Sequence, residues 1–267
     1  MRRGGITMRK RILIFVFSAL LFGAWAHAET AFGDAGVGDA ALIGILYDLK
    51  QTQAGEPSDV DLTNYPRRIA DFLESDWDER LLNRYFRVSR PVYSTRIYIP
   101  TMPAEQAPRA FGVESIVDPQ LWVVHYKGQV RAPAAGVYRF AGFADDIIAV
   151  RLNGDLVLVA GYPDCIPSDF EWTPSGPPGL PIAHGATTHG DWFAADEGEV
   201  FDLDVLVGER PGGLFGAWLF IEVRGESYPQ QGGHRLLPVF QLSDAPLGHN
   251  NVPAAPASVF SVWSALQ

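Results

Sequence analysis

Apolar and polar residues alternate with a period of two over most of the chain after Val92, and glycine and proline residues separate the alternating segments. Successive side chains of a strand point to opposite faces, so this pattern predicts short β-strands with one face in a core. The expected strands are 41–49, 122–130, 137–143, 147–152, 156–159, 201–207 and 217–223. Asn153-Gly154 predicts a tight hairpin turn between two of them. A mainly β protein, a sandwich or a barrel, is therefore expected.

A helical pattern interrupts the strands at about 64–87 and predicts a short two-helix insert. Pro66 fits the first turn of a helix, and its apolar stripe comprises Ile69, Phe72 and Leu73. Ser75 followed by Asp78 matches a capping box with aspartate in the glutamate position, which predicts a second helix. The apolar residues expected to line that helix are Trp77, Leu81 and Tyr85.

The first residues have the pattern of a cleaved secretory signal peptide. Basic residues precede an apolar run at 12–22, and Ala26-His27-Ala28 has the small-residue spacing of a cleavage site. The run is shorter than the roughly 20 residues that a spanning helix needs. We therefore expect cleavage before Glu29, export to the periplasm or the extracellular space, and no membrane span in the mature chain.

The charge balance is acidic, with a formal net charge of −10. Loss of residues 1–28 would remove five basic residues and no acidic ones, so the mature chain would have a more negative net charge. Such a surface repels phosphate backbones, and nucleic acid is not an expected partner. Cys165 is the single cysteine, which excludes an intramolecular disulfide and favours a buried, inert thiol.

A family resemblance is carried by residues 122–159, WVVHYKGQVRAPAAGVYRFAGFADDIIAVRLNGDLVLV. An aromatic-rich strand ends in glycine, an AP-x-x-G-x-Y-x-F turn follows, and an acidic pair precedes a strand with an Asn-Gly hairpin. The residues concerned are Trp122, Tyr126, Gly128, Ala132, Pro133, Gly136, Tyr138, Phe140, Asp145, Asp146, Asn153 and Gly154. This order resembles the central part of PA14 domains. LIGILYDL at 42–49 and VLVGERPGGLFGAWLFIEV at 205–223 extend the resemblance.

The resemblance implies a PA14-type antiparallel β-sandwich with the two-helix insert, a fold that often serves as a carbohydrate-binding or adhesive module. The expected organisation is a signal peptide at 1–28, a leader at 29–40, the sandwich at 41–245, and a C-terminal tail at 246–267. Within the sandwich, a proline-rich segment at about 160–199 is expected to form a long loop, and long loops inside compact domains are often functional.

In some sugar-binding members of that family, paired aspartates joined by a cis peptide hold Ca²⁺, and a second loop completes the site. The matching pair here is Asp145 and Asp146. The second loop, 208–213, lacks the asparagine of sugar-binding members, and Glu209 is the candidate replacement. Carboxylates, carbonyls and sugar hydroxyls are the oxygen ligands that Ca²⁺ prefers. The alternative is that the aspartates cap the turn and accept backbone hydrogen bonds without a metal.

The proline-rich segment also carries aromatic residues, among which Tyr162, Trp172 and Trp192 are candidate ligand-binding residues. Aromatic rings presented by loops suit sugar binding, and the same rings can instead anchor the loop to the sandwich. His184 and His189 match no zinc motif, and His125 is expected to be a buried sheet residue.

Two functions remain open from the sequence. The first is a secreted, non-catalytic binding module for carbohydrate or glycoconjugate, with Ca²⁺ at the aspartate pair. The second is a structural or assembly protein of the cell envelope that binds a protein partner. The sequence contains no G-x-S-x-G, H-E-x-x-H or P-loop motif, so no enzymatic activity is expected.

Overall fold

A computed structural model describes residues 30–34, 41–182, 185–242 and 263–266. The expected signal peptide at 1–28, His184 and most of the tail at 246–267 lie outside the described residues. Within the described residues, no helix is long and apolar enough to cross a membrane.

The described elements are mostly short strands. The helices are α1 (Tyr65–Glu74), α2 (Glu79–Leu82), α3 (Gln106–Ala110) and a 3₁₀ turn (Pro163–Cys165). The strands are β1 (Leu42–Thr52), β2 (Tyr85–Arg87), β3 (Val92–Ser94), β4 (Tyr98–Pro103), β5 (Trp122–Arg131), β6 (Gly136–Asp145), β7 (Ile147–Leu152), β8 (Asp155–Gly161), β9 (Pro181–Ile182), β10 (Gly185–Ala186), β11 (Thr188–His189), β12 (Phe193–Ala195), β13 (Val200–Glu209), β14 (Leu214–Val223), β15 (Gln230–Gln231), β16 (His234–Arg235) and β17 (Ser264–Leu266).

Most of the strands pair into two antiparallel sheets, and β9–β10 and β15–β16 form two separate two-stranded pairs. The first sheet has the order β2–β1–β5–β13–β7–β8, with β3 on β1 and β17 on β5. The second has the order β11–β6–β14–β4, with β12 also on β6. Trp122 of the first sheet and Phe215 of the second pack at a ring-centroid distance of 4.8 Å. The inward faces of the two sheets thus share one core, as expected for a mainly β sandwich.

The strand predictions agree with the structure. Each segment predicted as a strand forms one, and most of its apolar residues are buried, in several strands on both faces. At the β7–β8 hairpin, Asn153 and Gly154 both have positive φ, +50° and +93°, as a turn of this kind requires. The proline-rich segment at 160–199 contains the short strands β9 to β12, and two of these pair with β6.

The helical insert covers the outer face of the first sheet. Phe72 of α1 and Trp77 both pack on the ring of His125, with centroid distances of 5.8 and 5.6 Å. His125 is buried, and its Nε2 lies 2.8 Å from Oδ1 of Asp204. His125 is thus a satisfied sheet residue, as expected.

The second helix is shorter than predicted, and the prediction of its residues was wrong in part. It begins after Asp78, whose side chain accepts a hydrogen bond from the backbone N–H of Arg80. Ser75 does accept the backbone N–H of Asp78, but that bond closes a turn between the helices. Tyr85 belongs to β2, because the chain there pairs with β1.

Candidate functional site

The aspartate pair lies where the chain passes from one sheet to the other. Asp145 is the last residue of β6 in the second sheet, and β7 of the first sheet begins directly after Asp146. The peptide bond between the two aspartates is cis, as the family resemblance implied. The backbone N–H of Asp146 donates to the carbonyl of Gly208 at 3.0 Å, and its carbonyl accepts from the N–H of Tyr162 at 2.9 Å. The pair is therefore held between the ends of β8 and β13.

Gly161 allows the backbone to approach the pair closely. Its φ is +135°, and a Cβ at this position would lie 2.0 Å from the carbonyl oxygen of Asp146. An L side chain rarely adopts this φ, and the clash is with backbone that cannot turn away. The turn that brings Tyr162 beside the aspartates therefore depends on glycine.

The carboxyl group of Asp146 is buried and faces the loop after β13. Its Oδ2 accepts the backbone N–H of Arg210 at 2.7 Å. Burial raises the pKa of Asp146, and the Arg210 hydrogen bond opposes the rise only in part. The guanidinium group of Arg210 turns to Asp164, whose carboxylate and carbonyl it binds. Arg210 therefore binds two carboxyl groups, that of Asp146 through its backbone N–H and that of Asp164 through its guanidinium group.

Glu209 lies beside Asp146 in the interior. It is 1% exposed, and its Oε1 accepts the backbone N–H of Gly212 at 2.7 Å. Its Oε2 is buried without a hydrogen-bond partner among the described residues. Burial and the neighbouring charge of Asp146 raise the pKa of Glu209 to about 9. The side chain is therefore a neutral acid at pH 7 unless a cation binds nearby.

A thiol and a phenol lie next to these carboxyl groups. Cys165 is fully buried, and burial together with the charge of Asp146 raises the pKa of its thiol. The hydroxyl of Tyr65 donates to the carbonyl of Trp122 at 3.0 Å, and burial raises its pKa well above the ordinary value. The predicted inert thiol is thus buried as expected, but its place beside the aspartates was not predicted.

The predicted metal residues are neighbours without forming one ligand group. The charges of Asp145 and Asp146 both act on Glu209. In the part of the chain that the structure describes, however, no three His, Cys, Asp or Glu side chains are grouped so as to hold a metal ion by themselves. A cation at Asp145 and Asp146 would need backbone carbonyl, water or ligand oxygens in addition.

The predicted aromatic residues lie in different places. Tyr162 stands at the aspartate pair, and its ring packs edge-on against Phe143 at a centroid distance of 5.7 Å. Trp172 packs against the hydrophobic core, with a buried Nε1. The ring of Trp192 contacts the guanidinium groups of Arg139 and Arg224, whose carbons lie 4.4 and 4.5 Å from its centroid. Only Tyr162 among the three is thus shown beside the aspartates.

Sequence patterns gave no signal for the roles of Arg210, Asp164 and Tyr65 at this site. Asp164 and Arg210 are separated by 46 positions, and a single sequence does not show that two distant loops meet. The proximity of the loop at 208–213 to the aspartates came from the family resemblance, and the structure places it there.

No protein-family model matches the chain, and no curated protein matches it. Solved structures do. The PA14 sugar-binding domain of an RTX adhesin is 15% identical, with a TM-score of 0.41, over 74% of this chain and 98% of that domain. The PA14 domain of the antifreeze protein MpAFP is 18% identical, with a TM-score of 0.41, over 71% of this chain and 85% of that one.

The chain is thus similar to solved PA14 domains. The epithelial adhesin 6 A domain from Candida glabrata, solved with Galβ1-3GlcNAc, is 14% identical, with a TM-score of 0.41, over 75% of this chain and 88% of that domain. At these identities the likeness concerns the fold alone. The mainly antiparallel β-sandwich predicted from the sequence is confirmed by the two large sheets.

Proposed function

We propose that this PA14-like chain is an exported, non-catalytic module that binds carbohydrate or glycoconjugate at the Asp145–Asp146 end of the sandwich, with the help of Ca²⁺. The observation that carries the proposal is an excess of negative charge. The carboxyl groups of Asp145, Asp146 and Glu209 act on one another electrostatically, and the nearby guanidinium group of Arg210 is bound to Asp164. A buried excess of one charge sign is costly unless a counter-charge or a proton relieves it.

The chemistry of the donors supports a hard cation. Carboxylates and nearby backbone carbonyls are oxygen ligands, and the thiol of Cys165 is held protonated by burial. Ca²⁺ takes six to eight oxygens in flexible geometry, whereas a site for a soft metal would need nitrogen or thiolate ligands. A bound Ca²⁺ would offer open coordination positions to the hydroxyl groups of a sugar.

Asp145 and Asp146 are the proposed ligands of the cation. Glu209 is the neighbouring carboxyl group, and once ionised it would add to the negative electrostatic potential at the site. Its buried carboxyl group lies beside that of Asp146, and a proton or a nearby cation relieves the repulsion between the two groups. Cation binding would lower the pKa of Glu209 and release its proton. Within the described residues the side chains alone do not complete a metal site, so we propose that water or sugar oxygens supply the remaining ligands.

Tyr162 is the proposed aromatic contact for the sugar at this end. It is half-buried, and its backbone is tied to Asp146, so the ring is presented at low conformational cost. Trp172 and Trp192 are further candidate contacts for a ligand long enough to reach them. Trp172 already packs on the core, and Trp192 is already engaged by two arginines, so both serve as anchors as well.

The test is the melting temperature of the full chain in EDTA and in millimolar Ca²⁺, with a glycan array probed under both conditions. Binding to the folded state raises stability by about 2.7 kcal/mol when the ion is at roughly 100 times its Kd. We expect a Ca²⁺-dependent rise in the wild type, its loss in Asp145→Asn and Asp146→Asn, and glycan binding that EDTA abolishes. Asp155→Asn, an exposed change in the β7–β8 hairpin, is the matched control.

An equal response to Ca²⁺ in the wild type and both site variants would refute the metal site. Saturable glycan binding that EDTA leaves intact would place the sugar elsewhere on the molecule. Absence of glycan binding with a stable co-purifying envelope protein would favour the structural or assembly function instead.

A further inference from the structure

A groove runs over the outer face of the second sheet, away from the aspartate pair. The segment 177–180 borders one side and the residues around the β15–β16 hairpin border the other, above Phe220 of β14. The cavity between them has a volume of about 190 Å³. We call it the outer-face groove, and its polar lining residues are Thr187, His189, His234 and Arg235.

Beside the groove, Arg139, Arg224 and Arg235 form a surface that we call the cationic strip. Phe220 and Glu222 of β14 share the outer face because they are spaced by two, and Arg224 follows directly after the strand, with its backbone N–H bound to the carbonyl of Val137. Arg139 of β6 lies opposite Glu222 and binds it, with Nε 2.7 Å from Oε2. Arg235 from the edge of the groove binds the other oxygen of Glu222. A nearly buried carboxylate thus holds two guanidinium groups in place.

Trp192 extends the strip by one further arginine. The guanidinium carbons of Arg139 and Arg224 lie 4.4 and 4.5 Å from the centroid of its ring. Arg224 is exposed, and the side chain of Arg235 is 40% exposed, so each presents N–H donors to solvent. The strip therefore offers guanidinium groups that are fixed by packing and by an ion pair.

The charge of the strip is opposite to that of the molecule. The chain has a formal net charge of −10, yet here Arg139 and Arg235 bind Glu222, and Arg224 shares the ring of Trp192 with Arg139, with Glu226 on the turn nearby. Folding keeps these arginines together although acidic residues outnumber basic ones in the chain. Planar guanidinium groups match the two oxygens of a carboxylate, and a fixed pair loses less entropy on binding than mobile side chains do.

We propose that the outer-face groove and the cationic strip bind an acidic polysaccharide that carries hexuronate units. The sugar rings would lie over Phe220 and the apolar wall, and their carboxylates would reach Arg224 and Arg235. This site goes beyond the calcium-dependent one, since it uses neither aspartate and needs no metal. Arg139 lies six positions before Asp145 on β6, about 20 Å away along a strand.

The test is calorimetric titration of the full chain in EDTA with oligogalacturonate, with oligomannuronate, and with the carboxyl-reduced neutral form of each. We expect saturable binding of at least one uronate, weaker binding at higher salt, and no binding of the neutral forms. Arg224→Gln combined with Arg235→Gln should weaken uronate binding about tenfold or more.

Two controls separate this site from general charge and from the aspartate pair. Arg90→Gln makes the same charge change at an exposed position elsewhere and should leave uronate binding unchanged. Asp145→Asn should leave it unchanged as well, whereas the calcium-dependent response would be lost in that variant. The melting temperature of the double variant should stay within a few degrees of the wild type. No binding of either uronate, equal binding of a neutral form or of inorganic sulfate, or an unaffected double variant would each overturn the proposal.

Discussion

The carboxyl group of Glu209 lies against the carboxyl group of Asp146 in the interior, at the point where β6, β7 and the end of β13 meet. Two carboxyl groups in this position cannot both be ionised at low cost, because each is buried and each charge repels the other. The pKa of both is raised, first by burial, and that of Glu209 reaches about 9. The pair is therefore a source of pH-dependent stability when no cation is bound.

The first prediction concerns that pH dependence in EDTA. From the ordinary value of 4.5 up to about 9, folded Glu209 holds a proton that the unfolded chain has released. The free energy of unfolding should therefore fall as pH rises through this window, with a slope of up to about 1.4 kcal/mol per pH unit for one proton. Glu209→Gln should remove this part of the slope. Urea unfolding at a series of pH values measures it.

Glu114→Gln is the control for the Glu209 substitution, because Glu114 is exposed. It should keep the wild-type slope. A Glu209→Gln variant whose stability falls with pH as steeply as that of the wild type would show that Glu209 is ionised in the folded state. Asp146 contributes in the same direction, so some slope remains in the variant.

The second prediction concerns Gly161. Gly161→Ala should destabilise the fold by more than the about 1–2 kcal/mol that a positive φ alone costs, because its Cβ would meet the carbonyl oxygen of Asp146 at 2.0 Å. Gly154→Ala is the matched control, since its φ is +93° and no atom lies within 4 Å of the added Cβ. Urea unfolding compares the two. Equal losses of stability would contradict the close approach at Asp146.

The sheets were predictable because their signal is local. Alternation along 201–207 places its apolar residues on one face, and burial of that face constrains the register of the strand against its neighbours. Asn153-Gly154 specifies its hairpin through the φ values it permits. The end of the second helix was not predictable in this way. Tyr85 fits a helical stripe as well as a strand, and pairing with β1 decides between them.

The site was predictable only in part, because it is assembled from distant segments. The pair Asp145–Asp146 is adjacent in the sequence and carries a family resemblance, so it was found. The contacts of Asp164 with Arg210, and of Cys165 with Asp146, join loops that no local pattern connects. Trp192 was expected to suit a sugar, and its engagement by Arg139 and Arg224 depends on the register of the second sheet.

The third prediction concerns the reactivity of Cys165. The side chain is fully buried, and burial raises the pKa of the thiol, so little thiolate forms at pH 8. The native chain should therefore not react with a thiol reagent such as 5,5′-dithiobis(2-nitrobenzoate) over an hour at pH 8, whereas unfolding in guanidinium chloride should release one equivalent. Rapid labelling of the native chain would show that the segment around Cys165 opens readily.

The last prediction concerns the network beneath the helical insert. Burial alone would raise the pKa of Asp204, but the hydrogen bond with His125 and the guanidinium group of Arg151 lower it below the ordinary value. Asp204→Asn should cost about 2 kcal/mol of unfolding free energy near neutral pH, because His125 and the half-buried Arg151 lose their charged hydrogen-bond acceptor, and among the described residues Arg151 keeps only the exposed Asp76 as a carboxylate partner. Because the folded pKa is depressed, the extra stability of the wild type is present above pH 3.8 and is lost as pH falls through the folded value.

Asp202→Asn, on the same strand but exposed, is the control and should change the free energy of unfolding by no more than about 0.5 kcal/mol. Denaturant unfolding of the wild type and the two variants at pH 7 and at pH 3 measures these differences. Equal free energies of unfolding for the two variants at pH 7 would show that the network of Asp204 does not stabilise the fold.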